Sequence, residues 1–446
     1  MNARHTFILA AALVAWCGGA GAVTIEAVES PRGVKAWLVE DHSLAVVTID
    51  ASFTGGAVLD PAAKAGLANL ACDLMDEGAG ELDSSAYQGK LEDLATSLQF
   101  GAGEDAIGVT LRSVTQNLRD SAALLHLALT QPRFDAAAVA RVKSQLLASL
   151  ARDEHQPRAI ADRYWREAMF ADHPYARRLR GTPETIAAVG VDDLRGLVRD
   201  RFAKDVLLIG VVGDITPDQL KPLLDQTFGD LPDHAAAASP PPLKMRTEGE
   251  MLLARLAIPQ SVVVFGEPGI KRDDPDWFAA FIDNDILGGG GFSSRLTEEV
   301  REKRGLAYSV YSALQPMEEG GVIAGGVGTE NARVAESIAL IRSEWQRMRD
   351  DGPTAQELAA AKTYLTGSFP LNLDSTGRIA GTLVQLMRDK LGIDYLDRRS
   401  GLIDAVTLDD AKRVAKRLFD PAALTFVVVG APADLAGARE VGAGGG

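Results

Sequence analysis

Two side chains that can donate hydrogen bonds, Arg301 and Tyr308, stand seven residues apart where a helix is predicted to give way to a strand. A guanidinium and a phenol hydroxyl can both donate toward a carbonyl oxygen and toward the negative charge that develops on it in acyl transfer. The alternative is structural, with an arginine facing the negative end of a helix dipole and a tyrosine on a half-buried strand face. The residues alone leave both interpretations open, and Arg304 and Arg295 compete for the arginine role.

Glycines frame the corner that would position this pair. The four glycines Gly288 to Gly291 can adopt left-handed dihedral angles, and Ser293 or Ser294 can accept a bond from a free N–H at the start of a helix. Gly305 is placed to end that helix. Beyond it the residues alternate, which predicts a strand with Leu306, Tyr308 and Val310 on one face.

The glycine run has a second interpretation as a phosphate cradle at the N-terminus of a helix. Residues 288–291 are not followed by the G-K-[ST] ending of a nucleotide-binding loop, and no βαβ pattern precedes them. A nucleotide site is therefore not favoured.

Side chains that bind metals are few, and their spacing does not favour a metal site. Cys72 and Asp73 are neighbours in a predicted helix, and Asp153, Glu154 and His155 form a second local group. Simpler explanations are a packed helix face for Cys72, a solvated position for Asp73 and a polar helix end for the second group. Zinc-binding helices place two histidines at positions i and i+4. No such pair occurs among His42, His126, His155, His173 and His234.

The composition describes a large acidic protein. The chain has 446 residues, of which 46% are hydrophobic, and a formal net charge of −15. This length favours about two domains. The negative charge argues against binding to nucleic acid or anionic lipid. No later segment is apolar over the length of a membrane span, so we expect no membrane insertion.

The first 22 residues have the pattern of a secretory signal peptide. The apolar run Phe7 to Trp16 leads to Ala20-Gly21-Ala22, a small-x-small cleavage site, and predicts export to the periplasm. Cys17 could carry a lipid anchor, but the bulky Trp16 beside it is untypical of lipoprotein signals. After cleavage Cys72 is the only cysteine, which excludes an intramolecular disulfide bond.

The two halves of the chain repeat one another. Residues 188–193 match residues 405–410 at a shift of 217. Further matched pairs are Leu207 with Leu424, Gly213 with Gly430 and, at a shift of 219, Lys143 with Lys362. A nearly constant shift across helices and a strand indicates a tandem duplication of one α/β unit.

This repeat predicts the α+β class, with two homologous domains in tandem, each a mainly antiparallel sheet with helices on one face. An opening β-hairpin is predicted over residues 34–53. Three consecutive prolines mark the domain linker, since they favour extended backbone. The predicted segments are an N-terminal domain of residues 23–232, a linker of residues 233–247, a C-terminal domain of residues 248–433 and a flexible tail of residues 434–446.

Three segments give the chain a resemblance to the pitrilysin/insulinase family of zinc peptidases, which includes mitochondrial processing peptidase. They are Gly66-Leu67-Ala68, His173-Pro174-Tyr175 with Gly181 to Ile186, and, most specifically, Gly288 to Val310. The resemblance extends over nearly the whole chain after the signal peptide. It implies two domains that face each other as a clamshell and hold a peptide between them as an added strand.

Active members of this family carry H-x-x-E-H on the first helix, where two histidines bind zinc and the glutamate activates water. The matching window of this chain reads Asn69-Leu70-Ala71-Cys72-Asp73, and the family's third ligand, a glutamate in a later helix, falls at Ser149. Asn69, Cys72, Asp73 and Ser149 are therefore degenerate zinc-site positions, and we expect no metal in this chain.

The resemblance also implies a role for the second domain. In active relatives an arginine and a tyrosine seven residues apart reach the zinc site and bind the scissile region of the peptide. Arg301 and Tyr308 have that spacing inside the matching segment. The glycine run Gly288 to Gly291 corresponds to a loop that borders the substrate chamber, so we expect it to contact substrate.

We therefore expect this chain to be the non-zinc subunit of a heterodimeric periplasmic zinc metalloendopeptidase, inactive alone. A homologous subunit with H-x-x-E-H would hold the Zn²⁺. This chain would supply half of the chamber, with Arg301 and Tyr308 binding a peptide or unfolded protein. The alternative is a non-catalytic peptide-binding or scaffold protein of the same fold. An autonomous enzyme with unusual ligands is disfavoured by the missing zinc ligands.

Overall fold

The computed structural model describes residues 23–236, 239–433 and 435–442, so the predicted signal peptide lies outside the described residues. Within these ranges two six-stranded sheets are flanked by helices, which confirms the α+β class. The strands are β1 Glu26–Glu29, β2 Lys35–Glu40, β3 Val46–Thr54, β4 Gly78–Ala79, β5 Leu82–Asp83, β6 Ser97–Ala102, β7 Ala106–Val114, β8 Leu207–Gly213, β9 Met251–Arg255, β10 Gln260–Pro268, β11 Ala307–Pro316, β12 Gly321–Glu330, β13 Thr425–Gly430 and β14 Arg439–Val441. The helices are α1 Leu67–Cys72, α2 Ser84–Asp93, α3 Leu118–Thr130, α4 Ala136–Asp153, α5 Pro157–Phe170, α6 Pro183–Ala188, α7 Val191–Arg201, α8 Pro217–Phe228, α9 Trp277–Asn284, α10 Val334–Asp351, α11 Ala355–Ser368, α12 Thr376–Arg388, α13 Tyr395–Asp404 and α14 Leu408–Leu418.

The first sheet has the strand order β1-β2-β8-β3-β7-β6, and the second has the order β11-β12-β10-β13-β9-β14. Most neighbouring strands are antiparallel; the parallel pairs are β2 with β8 in the first sheet and β9 with both β13 and β14 in the second. The predicted opening hairpin is wrong, because β8 lies between β2 and β3 and pairs with both. The edge strands are β1 and β6 in the first sheet and β11 and β14 in the second.

Two lysines show that the sequence repeat is also a repeat of contacts. Lys143 on α4 donates to two carbonyls at the end of α6, and Lys362 on α11 donates to two carbonyls at the end of α13, at 2.5–3.3 Å. The acceptors are Ala187 and Val189 in the first half and Asp404 and Val406 in the second. In each half an ammonium group thus satisfies carbonyls that a helix end leaves without partners.

Each half exchanges one helix with the other. The helix α12 packs on β3 and β8 of the first sheet, and α5 packs on β10 and β13 of the second. A glycine allows each close approach, since a Cβ atom on Gly210 would lie 2.5 Å from Ala380 O and one on Gly266 would lie 2.7 Å from Trp165 Cζ2. The remaining helices pack on the opposite face of their own sheet and form its large core.

The linker and the C-terminus are both held by contacts. The Nε2 atom of His173 lies 2.9 Å from the carbonyl oxygen of Pro241, so this histidine anchors the linker. The strand β14 pairs in parallel with β9, so part of the predicted flexible tail, residues 434–446, belongs to the second sheet. Among the described helices, none has both the length and the apolar content of a membrane span.

Candidate functional site

The corner that contains Arg301 is built from two short π-helical turns, Asp285–Gly289 and Thr297–Glu302. Each is closed by a bond from a backbone N–H to the carbonyl five residues earlier, Gly290 to Asp285 at 2.7 Å and Lys303 to Glu298 at 2.9 Å. The predicted helix thus exists in a widened form, with Leu296 and Val300 fully buried as expected. Such turns are frequent at functional sites.

The glycine run divides into packing positions and surface positions. Gly288 and Gly290 are buried, whereas Gly289 and Gly291 are exposed. A Cβ atom on Gly288 would lie 2.3 Å from Ser312 Oγ, so this glycine lets the turn pack directly on β11. Gly291 has a φ angle of +60°, and a Cβ atom added there would have no atom within 4 Å. Glycine is therefore favoured at this position by the left-handed backbone conformation and not by close packing. Only half of the run therefore reaches the surface where a ligand could lie.

Arg301 and Tyr308 are in contact. The Cζ atom of Arg301 lies 5.5 Å from the ring centre of Tyr308 and 4.7 Å from that of Phe292. The guanidinium is therefore in cation–π contact with two rings. Both rings are far more exposed than ordinary aromatic residues, Tyr308 at 88% and Phe292 at 74%. Phe292 was not among the predicted site residues. Its position directly after four glycines, in a segment predicted to be a loop, was the available signal for an exposed aromatic ring.

A β-bulge places Tyr308 outside the core. Ala307 pairs with Thr329 but Val310 pairs with Val327, so β11 has one more residue than β12 at this point. The predicted alternation would have put Tyr308 on the same face as Val310, which is buried. Since the bulge breaks the alternation, the structural alternative for Tyr308, a half-buried strand residue, is wrong.

The competing arginines are already engaged. Arg295 is 4% exposed and binds Glu357 through Nε and Nη2 at 2.7 and 2.8 Å, so it is part of the core. Arg304 donates to the carboxylate of Glu299 at 2.5 Å. Arg301 has one long ion pair, Nε to Glu302 at 3.4 Å, which leaves donors of its guanidinium available. The geometry therefore favours Arg301 for binding a carbonyl oxygen.

Two buried carboxyl groups, Asp283 and Asp285, lie close to the corner, and no prediction from the sequence concerned either of them. Asp283 has no exposed surface, both of its carboxyl oxygens lack hydrogen-bond partners in the described structure, and burial raises its pKa well above the ordinary value. Burial also raises the pKa of Asp285 to about 6. Desolvation favours the neutral acid at both positions, since a buried carboxylate without partners is costly.

The degenerate zinc positions lie partly in an open cleft of about 540 Å³ between α1, α4 and the edge strand β6. Cys72 and Asp73 line it, together with Asp76, Glu77 and Arg180. The positions predicted at Asn69 and Ser149 do not line it; the residues of α4 that do are Val142, Gln145 and Leu146. The structure therefore brings two of the four predicted positions together.

The residues of this cleft do not fit zinc. Zinc binds deprotonated thiols, neutral histidine nitrogens and carboxylate oxygens, so each of these ligands must give up its proton. Cys72 is 3% exposed, and burial raises the pKa of its thiol far above the ordinary value. The pKa of Asp73 is raised too, mainly by desolvation and also by Asp76. In the described ranges no group of three or more His, Cys, Asp or Glu side chains could hold a metal ion.

Comparisons with known proteins agree with this geometry. Residues 188–365 match the family model described as Peptidase M16 inactive domain. The structure superimposes on the crystal structure of a peptidase M16 inactive domain from Pseudomonas fluorescens with a TM-score of 0.85 and 26% identity, covering 94% of this chain and 100% of that chain. The chain is similar to the M16 peptidase family, and in particular to its inactive domains. This confirms the resemblance that the motifs predicted.

Further matches refine this assignment. The non-peptidase homolog YmxG of Helicobacter pylori is 28% identical over 391 residues, 87% of this chain and 90% of the relative. Together with the inactive-domain matches, it supports a non-catalytic M16 subunit. The periplasmic protease PqqL from Escherichia coli shares the fold, with a TM-score of 0.77 and 18% identity over 91% of this chain and 45% of that chain.

Proposed function

We propose that this chain is the non-zinc subunit of a heterodimeric zinc metalloendopeptidase of the periplasm. The observation that carries the proposal is a contrast between two places in the chain. At one, Arg301 and Tyr308 lie in contact with donors available and the tyrosine ring exposed. At the other, Cys72 and Asp73 occupy zinc-site positions with side chains that do not fit the metal. A chain with half of a peptidase site is useful when another chain supplies the rest.

The chemistry assigned to Arg301 and Tyr308 is binding of the scissile carbonyl. Both donate hydrogen bonds, and a guanidinium also stabilises the negative charge that grows on the carbonyl oxygen as water attacks. The partner subunit, with H-x-x-E-H, would hold zinc and the general base that activates the water. Contact with Phe292 limits the rotation of Arg301, so fewer conformations are lost when substrate binds.

This chain also forms half of the substrate chamber in the proposal. Gly289 and Gly291 are exposed beside Phe292 and offer backbone groups to an extended peptide. The edge position of β6, next to the open cleft, suits a peptide that adds as a further strand. Localisation in the periplasm rests on the signal-peptide pattern of residues 1–22 and accords with the periplasmic location of the structural neighbour PqqL.

The experiment is reconstitution with the product of a neighbouring H-x-x-E-H reading frame. Residues 23–446 and the partner are assayed separately and mixed, on quenched fluorescent peptides with and without a chelator. We expect hydrolysis only from the mixture. Arg301→Ala and Tyr308→Phe should each lower kcat by about 10²-fold to 10³-fold, the loss typical of one oxyanion donor.

Matched controls come from the same corner. Arg304→Ala removes a guanidinium that already binds Glu299, and Tyr311→Phe removes a hydroxyl on the same strand as Tyr308. Both should retain the activity of the unmodified pair. Full activity of the Arg301 and Tyr308 variants, or chelator-sensitive cleavage by this chain alone, would contradict the proposal.

A second candidate is a non-catalytic peptide-binding or scaffold protein of the same fold. The observation that favours it is the exposed aromatic pair Phe292 and Tyr308, which could bind a peptide without any chemistry. It predicts that the mixture binds peptide, that binding weakens in Tyr308→Ala, and that no product forms at any time. Product formation by the mixture would exclude it.

A further inference from the structure

A second cleft, of about 610 Å³, opens where the exchanged helix α12 meets the first sheet. Its walls are residues 33–37 at the start of β2, residues 204–208 at the start of β8 and the end of α12 with the residues that follow. It shares no lining residue with the corner or with the degenerate zinc cleft. A cleft of this size is in the range of small-molecule sites, which are mostly apolar with a few placed polar groups.

The floor of this cleft is apolar and accessible. Trp37, Leu207, Leu208 and Met387 line it, and all four are only half-buried. Leu386 completes the floor from α12. An apolar group that covered these side chains would remove hydrocarbon surface from water, which is favourable in proportion to the area covered.

The rim of the cleft is basic although the whole chain is strongly acidic. Three lysines line it, Lys35, Lys204 and Lys390, against one acid, Asp205. Lys204 is paired with Asp233 at 2.6 Å, and Asp205 accepts bonds from the backbone of Ala235 and lies 3.1 Å from His234 Nδ1. The ammonium groups of Lys35 and Lys390 have no ion-pair partner in the part of the chain described.

The backbone fixes the place of Lys390. It has a left-handed φ angle of 55° at the end of α12, where glycine or asparagine is usual. Bonds from Lys390 N to Met387 O at 3.1 Å and from Leu391 N to Leu386 O at 3.0 Å close the helix. A lysine at such a position costs about 1 kcal/mol relative to glycine. The cap therefore fixes the backbone of a lysine that lines the cleft.

We propose that this cleft binds an amphipathic monocarboxylate, a fatty acid of medium chain length. The tail covers Trp37, Leu208 and Met387, and the carboxylate lies between the ammonium groups of Lys35 and Lys390. Charge selects the anion, because two lysines without an ion-pair partner in the described residues line a cleft whose only acidic lining residue, Asp205, is already bonded to Ala235 and His234. Since the walls come from the first sheet and from α12 of the second half, the bound ligand bridges the exchanged helix and the sheet and stabilises their contact.

The test uses residues 23–446 stripped of lipid, with decanoate below its micelle-forming concentration. Decanol and acetate report the apolar and the charged contributions separately. By calorimetry we expect saturable binding of decanoate, weaker binding of decanol and none of acetate, and the Tm should rise with decanoate concentration. Decanol that binds as tightly as decanoate, or a lack of saturable decanoate binding, overturns the proposal.

Variants locate the site. The double variant Lys35→Gln/Lys390→Gln should weaken decanoate binding about tenfold, since two partly exposed ion pairs together contribute about that factor. The control Lys90→Gln/Lys416→Gln makes the same change in net charge at exposed lysines that do not line the cleft. Met387→Gln should weaken decanoate binding because it puts a polar side chain where the apolar tail is expected to lie. If the control and the Lys35→Gln/Lys390→Gln variant bind decanoate with equal affinity, the assignment of the carboxylate to Lys35 and Lys390 is wrong.

Discussion

Replacement of Gly288 by alanine tests how the corner is held together. A Cβ atom there would lie 2.3 Å from Ser312 Oγ and 2.6 Å from Ser312 N, so the turn or β11 must shift. Ser312 resists the shift, because its hydroxyl donates to Asn284 Oδ1 at 2.8 Å. We expect Gly288→Ala to lower the free energy of unfolding by about 3 kcal/mol, the upper part of the range for overpacking. In a chain of this length that lowers the Tm by about 3 °C.

The matched control is Gly291→Ala. Its Cβ atom would meet nothing within 4 Å, so only the left-handed φ angle of +60° is strained. That strain costs about 1 kcal/mol. Urea unfolding followed by circular dichroism measures both variants. A Gly288→Ala chain within about 0.5 kcal/mol of the parent, or less affected than Gly291→Ala, would refute the packing role given to Gly288.

Two further predictions concern buried titratable groups. The pKa of Asp285 is raised from 3.8 to about 6, so its contribution to the free energy of unfolding is fully present below pH 3.8 and is lost as the pH rises through about 6. Asp285→Asn should therefore raise the Tm at pH 7.5, and this gain over the parent should shrink toward pH 4. A gain in Tm that does not depend on pH would contradict the prediction. The Cys72 thiol is 3% exposed and burial raises its pKa. In residues 23–446 it should therefore react with a disulfide reagent only after urea unfolds the chain. Rapid reaction of the native chain would contradict the burial of this thiol.

Local patterns predicted the elements well. The predicted helix that contains Cys72 exists as α1, and the glycine and serine signals predicted the turn that begins near Ser294 and ends at Gly305, whose φ angle is +60°. The sequence placed Arg301 and Tyr308 at one helix-to-strand corner, and in the structure the two side chains are in contact there. These signals concern residues close in the chain, where sterics and hydrogen bonding decide the conformation.

Long-range pairing was outside the reach of such patterns. The strands β2 and β3 are neighbours in sequence, but β8 takes the place between them because its apolar residues are buried on both faces of the sheet. The exposure of Tyr308 depends on a bulge, and no residue type at positions 307–310 specifies one. Gln145 and Ser149 lie one turn apart on the same face of α4, so which of them lines the cleft between α1, α4 and β6 depended on how far along its axis α4 meets α1, and local patterns do not specify that.

The exchange of α5 and α12 sets the order in which the molecule can be completed. Thr48 bonds Thr376 across 328 residues, and Ser52 accepts a bond from Arg388 across 336. Until α12 has been made, Val39 and Val212 on the first sheet lack the cover that Ala380 and Leu383 provide. Neither repeat can bury both faces of its sheet alone, so we expect the two halves to fold as one cooperative unit. The contacts between α12 and the first sheet should form last, because they join residues more than 300 positions apart.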